Sequence, residues 1–178
     1  MKREIILTSY LKNRLFGHLF QNRLEQAAFL FAQFEQSTTS LKLTAVDIYA
    51  VPPQGWDVQL EVYLQMRDSE RAKILKMARD KGLALIDCHS HPHAGSEVWF
   101  SPSDIAGITE FASYVKWKLD GKPFAAAVWG ENSVDAVVWQ GDFNAPYPVD
   151  AIQWDWQSVL LPNGSWFDRP KGKNRYEC

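Results

Sequence analysis

Apolar residues recur along this chain at two periods, and the exchange between them predicts a mixed α/β domain. Residues 3–8 read as a short strand. Thr8 or Ser9 then offers an N-cap for a helix reaching about Arg23, with Leu11, Leu15 and Leu19 stacked on one face. That stripe needs a sheet to lie on. Ala27-Ala28-Phe29-Leu30-Phe31-Ala32 reads as a buried strand, and residues 41–51 as a second, with Leu41, Leu43 and Ala45 alternating against Lys42 and Thr44. Pro52-Pro53-Gln54-Gly55 breaks the chain. Val58, Leu60, Val62 and Leu64 then alternate on one face and predict a returning strand, so that residues 27–64 resemble a meander.

Asp68 is the expected cap of a helix that stops at Gly82, where a left-handed C-terminal cap belongs, with Ile74, Leu75 and Ala78 facing inward. The run 83–88 follows as a central strand. A loop leads to a helix from Pro102 to about Leu119, Gly121 breaks it, and residues 124–129 and 134–139 read as two more strands. This places a domain over residues 1–142. From Phe143 onward the composition shifts, with Pro146, Pro148, Pro162 and Pro170 interrupting Trp154, Trp156, Trp166 and Phe167. Disordered segments are poor in aromatics, so residues 143–178 are expected to form an extension that packs on the domain or holds a partner. Only residues 171–178 are expected to fray.

With 178 residues, 46% of them hydrophobic, the chain can build one ordinary core. The net charge of -2 supplies no basic field for a nucleic-acid backbone, so nucleic acid is not an expected partner. The two cysteines, Cys88 and Cys178, make no disulfide framework and suit a reducing compartment. The N-terminal apolar run is too short for a signal-peptide core, and no stretch approaches the ~18 apolar residues of a membrane span. A cytoplasmic protein without a membrane partner is expected.

Chemistry concentrates after the run Leu83-Ala84-Leu85-Ile86. His89 and His91 stand at i and i+2, so at a strand end both imidazoles point to one face, with Ile86 and Cys88 on the other. Two such histidines also describe a solvated or hydrogen-bonded pair. Ser101-Pro102-Ser103-Asp104 is an ordinary helix start, with serine as N-cap, proline at the first helical position and an acid two positions later. The same arrangement fixes the Asp104 carboxylate at a helix mouth, where the dipole favours its ionised form. Two imidazoles and a carboxylate form a donor set for zinc that leaves a fourth position open. Trp99-Phe100 reads as a buried anchor of the loop, with an aromatic rim as the alternative, and Cys88 reads as a small buried hydrophobe.

Taken together, His89-x-His91-Pro92, a loop and Ser101-x-x-Asp104 resemble the signature of the JAMM metalloproteases, the MPN or JAB domain, in their compact prokaryotic form. The resemblance covers residues from about 3 to 142. It implies a central mixed sheet flanked by helices, related to the cytidine-deaminase fold, and one zinc ion per chain held by His89, His91 and Asp104. It also implies a catalytic glutamate upstream, which Glu25 matches at the entry to the strand 27–32, with Glu35 and Glu61 as rivals. Ala28 and Ala32 stand where the family often has glycine. Without the downstream motif, Glu25 reads as a solvated carboxylate at a helix end.

The family hydrolyses peptide or isopeptide bonds after ubiquitin-like proteins, which implies Glu25 as proton carrier and Ser101 as oxyanion donor. Expected partners are a ubiquitin-like protein or its conjugate, and activating and conjugating enzymes of the same bacterial pathway, in a setting such as antiviral defence. The alternatives are a zinc hydrolase acting on a small amide or sulfur-carrier conjugate, and a non-catalytic MPN scaffold. One departure concerns the loop. Nine residues separate His91 from Ser101, two more than the usual family spacing, which brings His93 and Glu97 forward as alternative ligands.

Overall fold

A computed structural model of the chain describes residues 1–155 and 158–167. Strand β1 (Lys2–Leu7) runs into helix α1 (Ser9–Leu19), whose first turn is closed by the Leu11 N–H donating to Thr8 Oγ1 at 3.2 Å. Leu11, Leu15 and Leu19 bury their side chains against Ile5, Leu7, Leu30 and Leu43. Leu15 and Leu19 are fully covered, and each such burial contributes roughly 2 kcal/mol. The helix stops at Leu19, short of the expected Arg23. Asn22 and Arg23 do not continue the stripe, and the Leu24 N–H donates to Asn22 Oδ1 at 2.9 Å, which sets a turn instead.

Strands β2 (Ala27–Gln36) and β3 (Ser40–Ala50) form an antiparallel pair. β2 is buried on both faces along its first half, with Ala28, Leu30 and Ala32 turned to α1 and Ala27, Phe29 and Phe31 turned to the opposite core. The expected third meander strand over 58–64 is absent from this sheet. Strands β4 (Trp56–Gln59) and β5 (Leu64–Met66) form a separate two-stranded hairpin, its turn closed by the Leu60 N–H donating to the Tyr63 carbonyl at 2.9 Å. The alternating Leu60 and Val62 therefore fall in the turn, where they are about half exposed. Alternation specifies a face only where another layer covers that face.

Helix α2 (Asp68–Lys81) starts one residue differently from expectation, with Arg67 as its N-cap and Asp68 inside the first turn. Gly82 ends it at φ +68°, as its position predicts. The remaining elements are β6 (Ala84–Ser90), α3 (Pro102–Lys118), β7 (Phe124–Trp129), β8 (Val134–Trp139), β9 (Tyr147–Pro148), β10 (Ala151–Trp154) and β11 (Ser158–Leu160).

Among the described residues the main sheet has nine strands, in the order β11-β10-β1-β3-β2-β6-β7-β8-β9. β1 is parallel to both β3 and β10, β6 is parallel to β7, and the other pairings are antiparallel. Helix α1 covers one face, while α2 and α3 cover the other, so two cores sandwich the sheet. The architecture is mixed α/β. The sheet is also strongly curled: β9 pairs with β8 at one end, and within a few residues Asp150 donates its N–H to the Arg3 carbonyl and β10 pairs with β1. The Arg3 guanidinium lies over the Tyr147 ring, tying the two ends.

Beyond Phe143 the chain thus supplies strands to the sheet and then a hydrogen-bonded anchor. Fully buried Asp135 accepts the Gly164 N–H at 3.0 Å, the Ser165 hydroxyl at 2.6 Å and the Trp166 N–H at 2.9 Å. Trp166 then meets Phe100 and Trp139 edge to face. Trp156, Pro170, Cys178 and the terminal residues 171–178 lie outside the described residues. Among the described residues, no helix is long and apolar enough to cross a membrane.

Candidate metal centre

Strand β6 runs through the middle of the sheet, and its alternation divides its side chains cleanly. Ala84, Ile86 and Cys88 enter the core beneath α1, whereas Leu85 joins the opposite core and His89 opens toward the α3 side. Cys88 is buried, and burial pushes its thiol far above the usual range, so it offers no thiolate nucleophile. His91 continues the parity of His89 just past the strand, and the two rings stand 5.2 Å apart, edge to face. Ser90 between them is a clamp. Its hydroxyl accepts the Gln26 N–H at 3.1 Å, and its N–H donates to the Gln26 carbonyl at 2.9 Å, which locks the residue beside Glu25 onto β6.

Helix α3 brings the carboxylate. Ser101 and Asp104 form a full capping box, with the Ser101 N–H donating to Asp104 Oδ2 at 2.6 Å and the Asp104 N–H donating to Ser101 Oγ at 3.1 Å. The same Oδ2 lies 3.5 Å from His89 Nε2 and 3.3 Å from His91 Nε2. One carboxylate therefore closes the helix and faces both imidazoles. Burial opposes its charge, but the two histidines outweigh burial and hold its carboxyl well below the usual range.

His89, His91 and Asp104 each offer one ligand atom, all within 4.8 Å of one another. Zinc binds imidazole nitrogen and carboxylate oxygen at about 2.0–2.2 Å, so tetrahedral ligands stand about 3.3 Å apart. The two imidazole-to-carboxylate separations, 3.5 and 3.3 Å, are close to that spacing. Among the described residues, His89 Nε2 is in addition buried without a hydrogen-bond partner. An orphaned buried polar atom costs roughly 1–3 kcal/mol, a cost that metal coordination removes. The donor set and this orphaned nitrogen both fit a divalent metal.

Glu25 completes the group. It is 4% exposed, and its Oε1 lies 3.4 Å from His91 Nε2. Burial raises its pKa to about 7, against the pull of His91 and His89 and with a further push from Asp104. Its backbone is held from the hairpin side, where the Glu25 N–H donates to the Leu60 carbonyl at 3.0 Å and Gln59 Nε2 donates to the Glu25 carbonyl at 3.0 Å. The rivals fall away from the cluster. Glu35 is exposed near the end of β2, and Glu61 pairs with His93 at 3.2 Å.

The lengthened loop keeps its extra residues off the centre. His93 Nε2 faces the Arg23 carbonyl at 3.1 Å as well as Glu61, so this nitrogen is a donor between two acceptors, with no lone pair for a metal. Glu97 is exposed and outside the ligand group. Val98 and Phe100 are fully buried, and Asn163 Nδ2 donates to the Val98 carbonyl. The loop also passes close over Gly130, where a Cβ would approach Ser133 Oγ to 2.9 Å and Val98 Cβ to 3.3 Å. Ser101 Oγ has Ser103 Oγ as a neighbour at 2.9 Å, and either hydroxyl can donate.

Two charged groups escaped the sequence reading. Asp87, two residues before His89 on the same strand face, and Arg71 of α2 both line the cavity beside the cluster. Burial raises the Asp87 pKa to about 6, with His89 and Arg71 pulling it down. Strand parity alone placed Asp87 on the histidine face; Arg71 had no such signal, because only tertiary packing sets α2 against α3.

No family model matches the chain, and no curated protein matches it. Among solved structures, the chain is similar to the solution structure of protein DSY2949 from Desulfitobacterium hafniense, at 15% sequence identity and a TM-score of 0.52. The match covers 84% of this chain and 92% of that one. It is a likeness of fold.

Proposed function

We propose that the chain is a zinc-dependent hydrolase of the JAMM type, cleaving a peptide or isopeptide bond after the C-terminus of a ubiquitin-like protein. The observation that carries this reading is the convergence of His89, His91 and Asp104 with a buried glutamate, Glu25, within 3.4 Å of one of them. His89, His91 and Asp104 would hold the zinc. When bound, zinc supplies a lowered water pKa and Lewis-acid polarisation of a carbonyl.

The chain's own residues carry the protons. Glu25 takes a proton from the attacking water and delivers it to the leaving amine, a role suited to a buried carboxylate beside the cluster. The Ser101 hydroxyl, held at the helix mouth, donates to the oxygen that gains charge, an interaction worth about 3 kcal/mol by analogy with oxyanion holes. Asp104 keeps its orientation through the Ser101 N–H. The Ser90 clamp and the β4–β5 hairpin position Glu25 from two sides.

The test incubates purified protein with ubiquitin-like precursors bearing C-terminal extensions, with and without a chelator, and identifies products by mass. Chelator-sensitive cleavage after the modifier's last residue is the expected result. Chelator-insensitive cleavage, or none in zinc-loaded protein, overturns it. A scaffold without catalysis would show stable partner binding that is indifferent to Glu25→Gln.

A further inference from the structure

A cavity of about 300 Å³ opens directly off the metal cluster, with Glu25, His89 and Asp104 forming one wall. Phe29, Trp56, Leu64, Met66, Ile108 and Phe111 supply large apolar side chains to the rest. These come from β2, the β4–β5 hairpin and α3, so the space exists only because the hairpin stands away from the main sheet. Its volume is well beyond what a backbone or a glycine needs. An apolar cavity of about 150 Å³ already accepts a benzene ring. Asp87 and Arg71 line the same space with opposite charges, and among the described residues neither makes a hydrogen bond or ion pair there. Beyond the cluster's own carboxylates, Glu25 and Asp104, these two charges offset each other.

We propose that this cavity is a subsite for a bulky, uncharged and mainly apolar side chain on the residue flanking the scissile amide. On the amine side the site then suits phenylalanine, tyrosine, leucine or methionine as the first residue released; on the acyl side the same preference would exclude a glycine-ended tail, and with it a ubiquitin-like substrate. The inference rests on the reading of the cluster as a metal-dependent amide hydrolase, and it narrows the substrate class. The Asp87 carboxylate supplies an acceptor on the cavity wall, which suits a hydroxyl on the ring of the occupant. Gly107 and Ala106 leave the α3 wall low, and a Cβ added at Gly107 meets nothing within 4 Å.

The experiment measures binding rather than turnover. Zinc-loaded Glu25→Gln protein is titrated calorimetrically with N-acetyl-L-phenylalanine and N-acetylglycine, and separately with L-phenylalaninamide and glycinamide. One phenylalanine probe is expected to bind about 10- to 100-fold tighter than its glycine counterpart, as burial of a benzyl group implies. Which pair shows the preference tells whether the acyl or the amine side of the bond enters. Gly107→Leu, which fills the cavity, is expected to bring that ratio to about 1, and Ala106→Leu serves as a second filling variant. No preference in either pair, or a preference that survives both filling variants, overturns the subsite.

Peptide hydrolysis by wild-type protein separates the two readings. A binding preference without chelator-sensitive hydrolysis sinks the hydrolase and leaves the subsite; chelator-sensitive hydrolysis that favours glycine sinks the subsite and leaves the hydrolase.

Discussion

Asp104 is asked to do two things, and substitution can separate them. Asp104→Asn preserves the size of the side chain and an oxygen able to accept the Ser101 N–H, but removes the negative ligand facing His89 and His91. Ser101→Ala does the converse, removing the cap hydroxyl that accepts the Asp104 N–H while leaving all three metal donors. A lost serine cap costs about 1 kcal/mol, which in a chain of this length lowers Tm by about 2–4 °C. Zinc present at about 100 times its dissociation constant stabilises the native state by about 2.7 kcal/mol. Unfolding entropy near 2.1 cal/mol/K per residue converts that into a rise of about 7 °C.

Differential scanning fluorimetry of metal-stripped and zinc-titrated protein reads both effects. Asp104→Asn is expected to melt below wild type without metal, because the depressed carboxyl stabilises the fold at neutral pH, and to lose the zinc-induced rise. Ser101→Ala is expected to melt lower without metal and to keep the rise. If Asp104→Asn binds zinc stoichiometrically with the full shift, the carboxylate is a cap alone and the ligand assignment fails.

Glu25→Gln should keep the zinc-induced Tm rise and lose at least about 100-fold in chelator-sensitive cleavage, since general-base catalysis contributes about 10²–10⁴; turnover near wild type would remove Glu25 from the chemistry. In metal-free protein the Glu25 pKa rises from 4.5 to about 7, so the group's contribution to stability is complete below about pH 4.5 and is lost as pH rises through about 7. That shift amounts to about 3 kcal/mol, and Asp87, raised to about 6, acts in the same direction. Urea midpoints of metal-free protein at pH 5 and pH 8 should therefore diverge less in Glu25→Gln than in wild type; an unchanged gap would contradict the buried placement. Asp135→Ala strands the donors of Gly164, Ser165 and Trp166 and should cost about 3–5 kcal/mol, seen as a lower Tm and a red-shifted tryptophan emission. A Tm within about 2 °C of wild type would show that the segment is not anchored there.

Local physics made much of this structure legible in the chain. The Leu11, Leu15 and Leu19 stripe, the Gly82 stop and the strand expected over 83–88, observed over Ala84–Ser90, follow from period and backbone conformation, which neighbours in sequence specify. Val58 to Leu64 misled for the same reason: its alternation is real, but the chain reverses within it and leaves Leu60 and Val62 uncovered. Helix α1 overran in expectation because an Asx turn at Asn22 competes with another helical turn, and composition does not weigh the two.

At the centre, parity placed His89 and His91 on one face, and Ser101-Pro102-Ser103-Asp104 announced a helix start through the chemistry of capping. These are interactions between residues close in sequence, so the sequence by itself determined them. Only the tertiary structure decided that the capping carboxylate stands 3.3 Å from His91 and that Glu25 arrives beside it. The β2–β6 pairing, the Ser90–Gln26 clamp and the hairpin holding Glu25 join residues far apart in the chain. The cavity with Asp87, Arg71 and Trp56 belongs to the same class, because its shape depends on where a hairpin and two helices pack against the sheet. Long-range contacts are chosen by the summed burial of both cores, and no short window of the chain contains that sum.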